Sequence, residues 1–491
     1  MRNNSNRIRY RIFFLVQKLD LATIAFILIA SVIGLFFVFK TPLLWGSDET
    51  SHVGRVYQLA HGTILSQEVH QGYSGYGFGG YVPSSLLDVV NYVNVDFNQN
   101  GPQKISDVRW VDAPRDYTRF AELSLKTPLV PYNFSNTAIY SPVPYIPAVI
   151  GFEIARAGNL TLGPTIFLGR VFDLVFYITI TGAALFALRG YKIQWLLFAV
   201  GLFPTYIFQS STINADAVTN TIAFALIVLL AKALLARVRL STFETCLLLV
   251  CAFLMPITKP TYIFLSLLIL LVPAKKMSLS KYGKAVSVTT VFAGLVLYGV
   301  WQFDTAYLSN ASKWIIAGVV PWWQNINASA QLKYVIGHPL DFIKVLLRTV
   351  LITDNAYRDG IYGRLGFDYV IVPALTQELA GLCVVLGVLV SEKFVIPKKI
   401  LVLFSAVALT SILAIFGTLY ITICEVGQLS IWGVQGRYFM PILPLVLLIA
   451  IIVFKIRIND IGQKKIGVTM ITLMSVGLLL AAAKFYYVTW G

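Results

Sequence analysis

The chain has 491 residues, 57% of them hydrophobic and only 13% charged, where soluble domains carry roughly a quarter charged; this excludes a soluble globular protein and reads as a polytopic membrane protein. The net charge of +16 comes from Lys and Arg in short breaks between apolar runs, so it reads as topology signal and contact with anionic lipid, not as a nucleic-acid surface. Cys246, Cys251, Cys383 and Cys424 form neither a disulfide framework nor a zinc spacing.

Residues 21–38 are an uninterrupted apolar run, about 27 Å as a helix at ~1.5 Å per residue. Arg2, Arg7, Arg9, Arg11 and Lys18 precede it, and the positive-inside rule sets the N-terminus in the cytoplasm. The run is too long for a signal peptide and lacks a small-residue cleavage site, so it stays as the first span. Further apolar runs fall at 165–188, 194–209, 217–236, 243–257, 261–273, 285–301, 369–390, 400–421, 439–454 and 466–483, which predicts about eleven spans. The runs at 243–257 and 261–273 are short and predict a shallow pair around Lys259 and Pro260.

Residues 139–157 decide the parity. They are apolar but carry three prolines, Glu153 and Arg156. Were they to cross, the basic clusters at Arg189/Lys192, Arg237/Arg239 and Lys275/Lys276 would face outward; as a partly inserted interfacial helix they leave those clusters inside. The expected fold is therefore an all-α polytopic membrane protein, one integral domain over 1–491. Its two long extracytoplasmic loops, 39–164 and 302–368, contain interfacial helices, and its inner loops are short.

Asp48, Glu49 and His52 follow the first span directly and are the leading candidates for chemistry. Asp48 and His52 share a helix face at four-residue spacing, with Arg55 three residues on. A carboxylate beside an apolar boundary is partly desolvated and becomes a better base; the alternative is a pair of capping acids at a solvated loop. Asp216, beside Asn214 in a short outer turn, reads as a second acid or as a cap for the next helix. Glu49-x-x-His52 has helical metal-ligand spacing; a divalent cation is weighed as a cofactor, with no ligand set assigned.

Lys259, Arg364 and Arg437 are cations on the outer side of this topology. Arg437, followed by Tyr438, can hold a phosphate bidentately, against the alternative of interfacial snorkelling. Aromatic and glycine-rich stretches at Tyr73–Gly80, at Trp110 and at Trp322/Trp323 read either as sugar-stacking surfaces or as an interfacial aromatic belt.

Asp48-Glu49-Thr50-Ser51-His52, then Arg55-Val56-Tyr57 and Gly62, resemble the D-E-P-x-H and R-x-Y motifs of a large family of bacterial membrane proteins of unknown function, with Thr50 in place of the proline. Asn214-Ala-Asp216-Ala, Thr258-Lys259-Pro260, Gly363-Arg364-Leu-Gly366-Phe367 and Gln435-Gly436-Arg437-Tyr438 extend the resemblance in the same order over most of the chain. In layout that family is similar to the GT-C class of membrane glycosyltransferases. The resemblance implies a bacterial cell-membrane location, a polyprenyl-phosphate-linked sugar as donor and an envelope glycan as acceptor. It implies Asp48 as base, Asp216 as second acid and Arg437 as a phosphate contact. The leading expectation is thus outward-facing glycosyl transfer. The rivals are a transporter or flippase for a lipid-linked sugar and a structural subunit of an envelope-assembly complex.

Overall fold

The computed structural model describes residues 20–70, 76–100, 119–236, 238–309, 326–352, 354–366, 369–454, 457–458 and 462–491. It is built of helices packed into one bundle. The first long one, α1 (Leu21–Lys40), ends in a turn through Gly46 from which α2 (Glu49–Ala60) departs.

The next segment departs from the all-α expectation. An antiparallel sheet of three strands, β1 (Gln67–His70), β2 (Tyr76–Pro83) and β3 (Leu129–Asn133), lies in order β1-β2-β3, with Glu68 opposite Phe78 and Gly80 opposite Tyr132. The stretch read as a sugar-stacking surface is therefore, from residue 76 on, a strand, and Phe78 is buried in the core. Its glycines have a packing reason: a Cβ at Gly79 would collide with the Tyr132 carbonyl. Tyr73, Trp110, Trp322 and Trp323 lie outside the described residues.

Residues 139–157 hold no helix long enough to cross a membrane by itself. Their regular part is α3 (Ile146–Ala157), 12 residues or about 18 Å long, packed along α4 (Leu162–Ala187). Ile146, Ile150 and Ile154 form an exposed apolar stripe at i, i+4, i+8.

The central helix is α5 (Ala215–Leu230), which continues through a π turn to Leu235, is buried over its whole length and packs against α4 and α6 (Thr242–Thr258). The Ser241-Thr-Phe-Glu244 sequence starts α6 with a capping box: the Ser241 hydroxyl accepts from the Glu244 N–H at 3.2 Å, and the Glu244 carboxylate accepts from the Ser241 N–H at 2.8 Å. Lys259 and Pro260, just past Thr258, then end the helix, while Pro256 is carried within its last turn.

Six helices are long and apolar enough to cross a membrane: Leu21–Lys40, Leu162–Ala187, Ala215–Leu235, Gly283–Asp304, Lys398–Ile423 and Gln463–Thr489. A seventh span arises if Ile193–Gly201 and Pro204–Ser210, bent by 55°, count as one. The other four expected spans are apolar helices of 10–17 residues: Thr242–Thr258, Pro260–Leu271, Ala374–Val390 and Leu443–Val453. By length and composition the described helices thus support six or seven spans. Prolines at 260, 273, 373 and 441 flank these shorter helices.

In the remainder of the chain, α7 (Asp354–Tyr362) packs against the turn Gly436–Phe439. A two-stranded ribbon pairs Arg364 with Ile371, and α8 (Lys398–Ile423) brings its C-terminal end to the same end of the bundle as Lys40, Ala215 and Thr258. That end carries the site.

Candidate functional site

Four chain segments far apart in sequence converge there. Asp48 is the N-cap of α2 and holds φ 54°, ψ 19°, the left-handed region that costs a non-glycine residue about 1–2 kcal/mol. Its carbonyl accepts from the Ser51 and His52 N–H groups at 3.1 and 3.2 Å, which fixes the turn. The Arg437 guanidinium donates to its carboxylate at 2.5 Å. Arg437 itself is buried, while 41% of the Asp48 side chain remains accessible, toward a cavity.

A second ion pair stands beside the first. Asp216, in the first turn of α5, pairs with Lys259 at the C-terminal end of α6, and both side chains are 10% accessible or less. Lys259 also lies 5.4 Å from the ring centre of Tyr140 and 5.7 Å from that of Tyr438, a cation held between two aromatic faces. Gln209 donates to the other Asp216 oxygen at 3.5 Å.

His52 sits one turn along α2 from Asp48. Its Nδ1 lies 2.8 Å from the Tyr145 hydroxyl and its ring is parallel to that of Tyr140. Burial, with Lys259 and Arg437 nearby, outweighs the attraction of Asp48 and Asp216 and lowers the His52 pKa to about 4, so the imidazole is neutral at pH 7. Burial works to raise the Asp48 carboxyl, but the charges of Arg437, His52 and Lys259 and the Arg437 hydrogen bond hold it below the usual carboxylate range.

Asp48, His52, Asp216, Lys259, Arg437 and Tyr438 line one cavity of about 390 Å³. Asn136, Thr137 and Gln435 add polar groups to it. Leu308, Leu419 and Ile423, the last two from the end of α8, give it an apolar wall.

The other four sequence candidates do not reach this cavity. Glu49 points the opposite way: its oxygens accept from Arg170 Nε at 2.8 Å and Nη2 at 2.6 Å, and from the N–H groups of Gly46 and Ile213 at 2.9 Å each. Both side chains are wholly inaccessible, so Glu49 is a buried brace between α2, α4 and the turn before α5, not a reacting carboxylate. Arg55 is buried too, its guanidinium bonded to Gln58, Ser66 and the carbonyls of Ile64 and Tyr140; it steadies the backbone of Tyr140. Asn214 caps α5, accepting from Ala217 N–H at 2.9 Å and donating to the carbonyls of Gln209 and Thr212. Arg364 lies on the short ribbon, outside the cavity lining.

Arg170, Tyr140 and Tyr145 escaped the sequence reading. For Arg170 a signal was present: a guanidinium inside an apolar run demands a buried partner. Tyr140 and Tyr145 sit in a proline-rich stretch with no chemical signature of their own. Among the described residues, no group of three or more His, Cys, Asp or Glu side chains is gathered as a metal site; each cavity carboxylate faces a cation instead.

A bundle of long apolar helices with a polar cavity at one end defines an integral membrane protein. The family described as "Predicted membrane protein (DUF2142)" matches residues 31–446, and the chain belongs to it. No curated protein and no solved structure matches the chain with significance.

Proposed function

We propose that the cavity transfers a sugar from a polyprenyl-phosphate-linked donor to a hydroxyl of an envelope glycan on the outer face of a bacterial cell membrane. The N-terminus is cytoplasmic in this reading, and the four short apolar helices complete an eleven-segment, GT-C-like bundle. The observation that carries the proposal is the Asp48 carboxylate, accessible within a cavity that holds two cations and an apolar wall. A lipid phosphate needs cations for its head and an apolar surface for its chain.

In the proposed step the acceptor O–H gives its proton to Asp48 as its oxygen attacks the anomeric carbon. The bond from that carbon to the phosphate oxygen breaks, and the lipid phosphate leaves with the electron pair, its charge met by Arg437 and Lys259. A single displacement inverts the anomeric configuration. The Asp48–Arg437 pair gives the site a trigger. When a phosphate draws the Arg437 fork to itself, Asp48 loses its nearest counter-charge while staying enclosed, and both effects make it a stronger base. Asp216 holds Lys259 in place, and neutral His52, bonded to Tyr145, shapes the acceptor side.

The test is transfer of labelled sugar from a short-chain polyprenyl phosphate by the purified protein in liposomes, with and without EDTA. Transfer that requires Asp48 supports the reading. The EDTA arm tells whether a divalent ion takes part.

A further inference from the structure

A second cavity, of about 300 Å³, shares no lining residue with the first. Tyr57 on α2 and His61, the C-cap of that helix, line it. Tyr57 lies nine positions after Asp48, and His61 nine after His52, which at ~100° per residue is about half a turn, so the two cavities flank opposite faces of one helix.

Its chemistry is basic and hydroxyl-rich. His61, Lys126 and Arg156 line it, and none of its lining residues is a carboxylate. Among the described residues the Lys126 ammonium has no ion-pair partner. Arg156 rests on Glu153 of its own helix, an exposed pair that a stronger anion can displace. The Tyr57 and His61 rings stack 4.0 Å apart, and His61 Nδ1–H donates to the Tyr57 carbonyl at 2.8 Å, which fixes the imidazole against the cavity wall. Ser124, Asn159 and Thr161 supply the hydroxyl and amide groups that a polyol requires.

We infer that this second cavity binds an anionic polyol, a glycerol phosphate or sugar phosphate group, separately from the site at Asp48. The Lys126 and Arg156 cations meet the phosphate, and the hydroxyl and amide groups meet the polyol.

The test uses the full chain in nanodiscs. In one arm, labelled glycerol 3-phosphate is titrated against protein in phosphatidylcholine discs. In the other, phosphatidylglycerol, whose headgroup is the same chemistry on a lipid, is doped into the discs and counted on the protein by native mass spectrometry. Binding in the first arm assigns a soluble ligand, and binding in the second alone assigns a lipid one. Either way, Lys126→Glu with Arg156→Glu is expected to weaken it at least about tenfold, while Lys464→Glu with Lys465→Glu, elsewhere in the chain, leaves it unchanged. All four positions are exposed, and equal unfolding midpoints confirm intact folds. No binding in either arm, or binding unchanged in the Lys126/Arg156 variant, overturns the proposal.

Discussion

Asp48 and Arg437 are 389 positions apart in the chain and 2.5 Å apart in space. The contact closes the cavity's polar side by joining the segment after the first span to the turn before Leu443–Val453. Replacing Arg437 by alanine removes both the charge that holds down the Asp48 carboxyl and the proposed phosphate contact. Under the proposed chemistry, kcat/KM for the phosphate donor falls by about 10²–10³, and the acid limb of the pH–rate profile moves to higher pH. Arg437→Lys keeps the charge but loses the planar fork, so its acid limb moves less while its KM still rises. Steady-state kinetics over a pH series check both.

Glu49 and Arg170 make the opposite kind of pair, buried, fully bonded and remote from the cavity. Glu49→Ala leaves a guanidinium uncompensated in the core and is expected to cost about 3–5 kcal/mol. Glu49→Leu combined with Arg170→Met recovers much of that loss, because neither charge is then stranded. Unfolding in detergent, monitored by thermal or chemical denaturation, reads both values.

His52 makes stability depend on pH. Its folded pKa of about 4 lies below the ordinary value of 6.5, so between these values the unfolded chain binds more protons than the folded one. Stability is therefore full above pH 6.5 and declines as pH falls toward 4. The decline amounts to about 3 kcal/mol at ~1.4 kcal/mol per pH unit. Asp48, also lowered, adds a further loss only below about pH 4. His52→Gln is expected to flatten the fall between pH 6.5 and 4 in unfolding midpoints measured across that range.

The turn bearing Arg437 is seated by glycine. A Cβ at Gly436 would collide with the Tyr357 carbonyl and press on Gly360 of α7. Gly436→Ala is expected to destabilise by about 1–3 kcal/mol and to lower activity through a displaced Arg437 even where the protein stays folded. Unfolding midpoints and transfer rates, measured together, separate the two effects.

Much of this architecture is written locally in the sequence. The long apolar helices and the short, proline-led helix within 139–157 follow from hydropathy and proline content. The cavity residues Asp48, His52, Asp216, Lys259, Arg437 and Tyr438 also stand out, because ionisable side chains are sparse in so apolar a chain and these fall in short motifs beside its apolar runs. What stayed hidden depends on long-range pairing. Asp48 and Glu49 are neighbours with equal claims in the sequence; only the position of Arg170, 121 residues on, turns Glu49 into the core and leaves Asp48 facing the cavity. The small sheet was masked because glycine and aromatic residues alternate in β2 for packing against β3, a pattern that also suits a sugar-binding loop. Span number is less legible, because apolar composition runs on past the turns and prolines at which the shorter helices end.

The most direct measurement is sugar transfer from a short-chain polyprenyl phosphate in liposomes, comparing the wild-type chain with Asp48→Asn at equal folded amounts. Transfer by the wild type, reduced at least about 10²-fold in Asp48→Asn, is the outcome expected of a catalytic base in this cavity. Equal transfer by both proteins would contradict the role of Asp48. No transfer by the wild type across a panel of donors and acceptors, with lipid-linked sugar instead appearing on the opposite leaflet, would contradict glycosyl transfer itself.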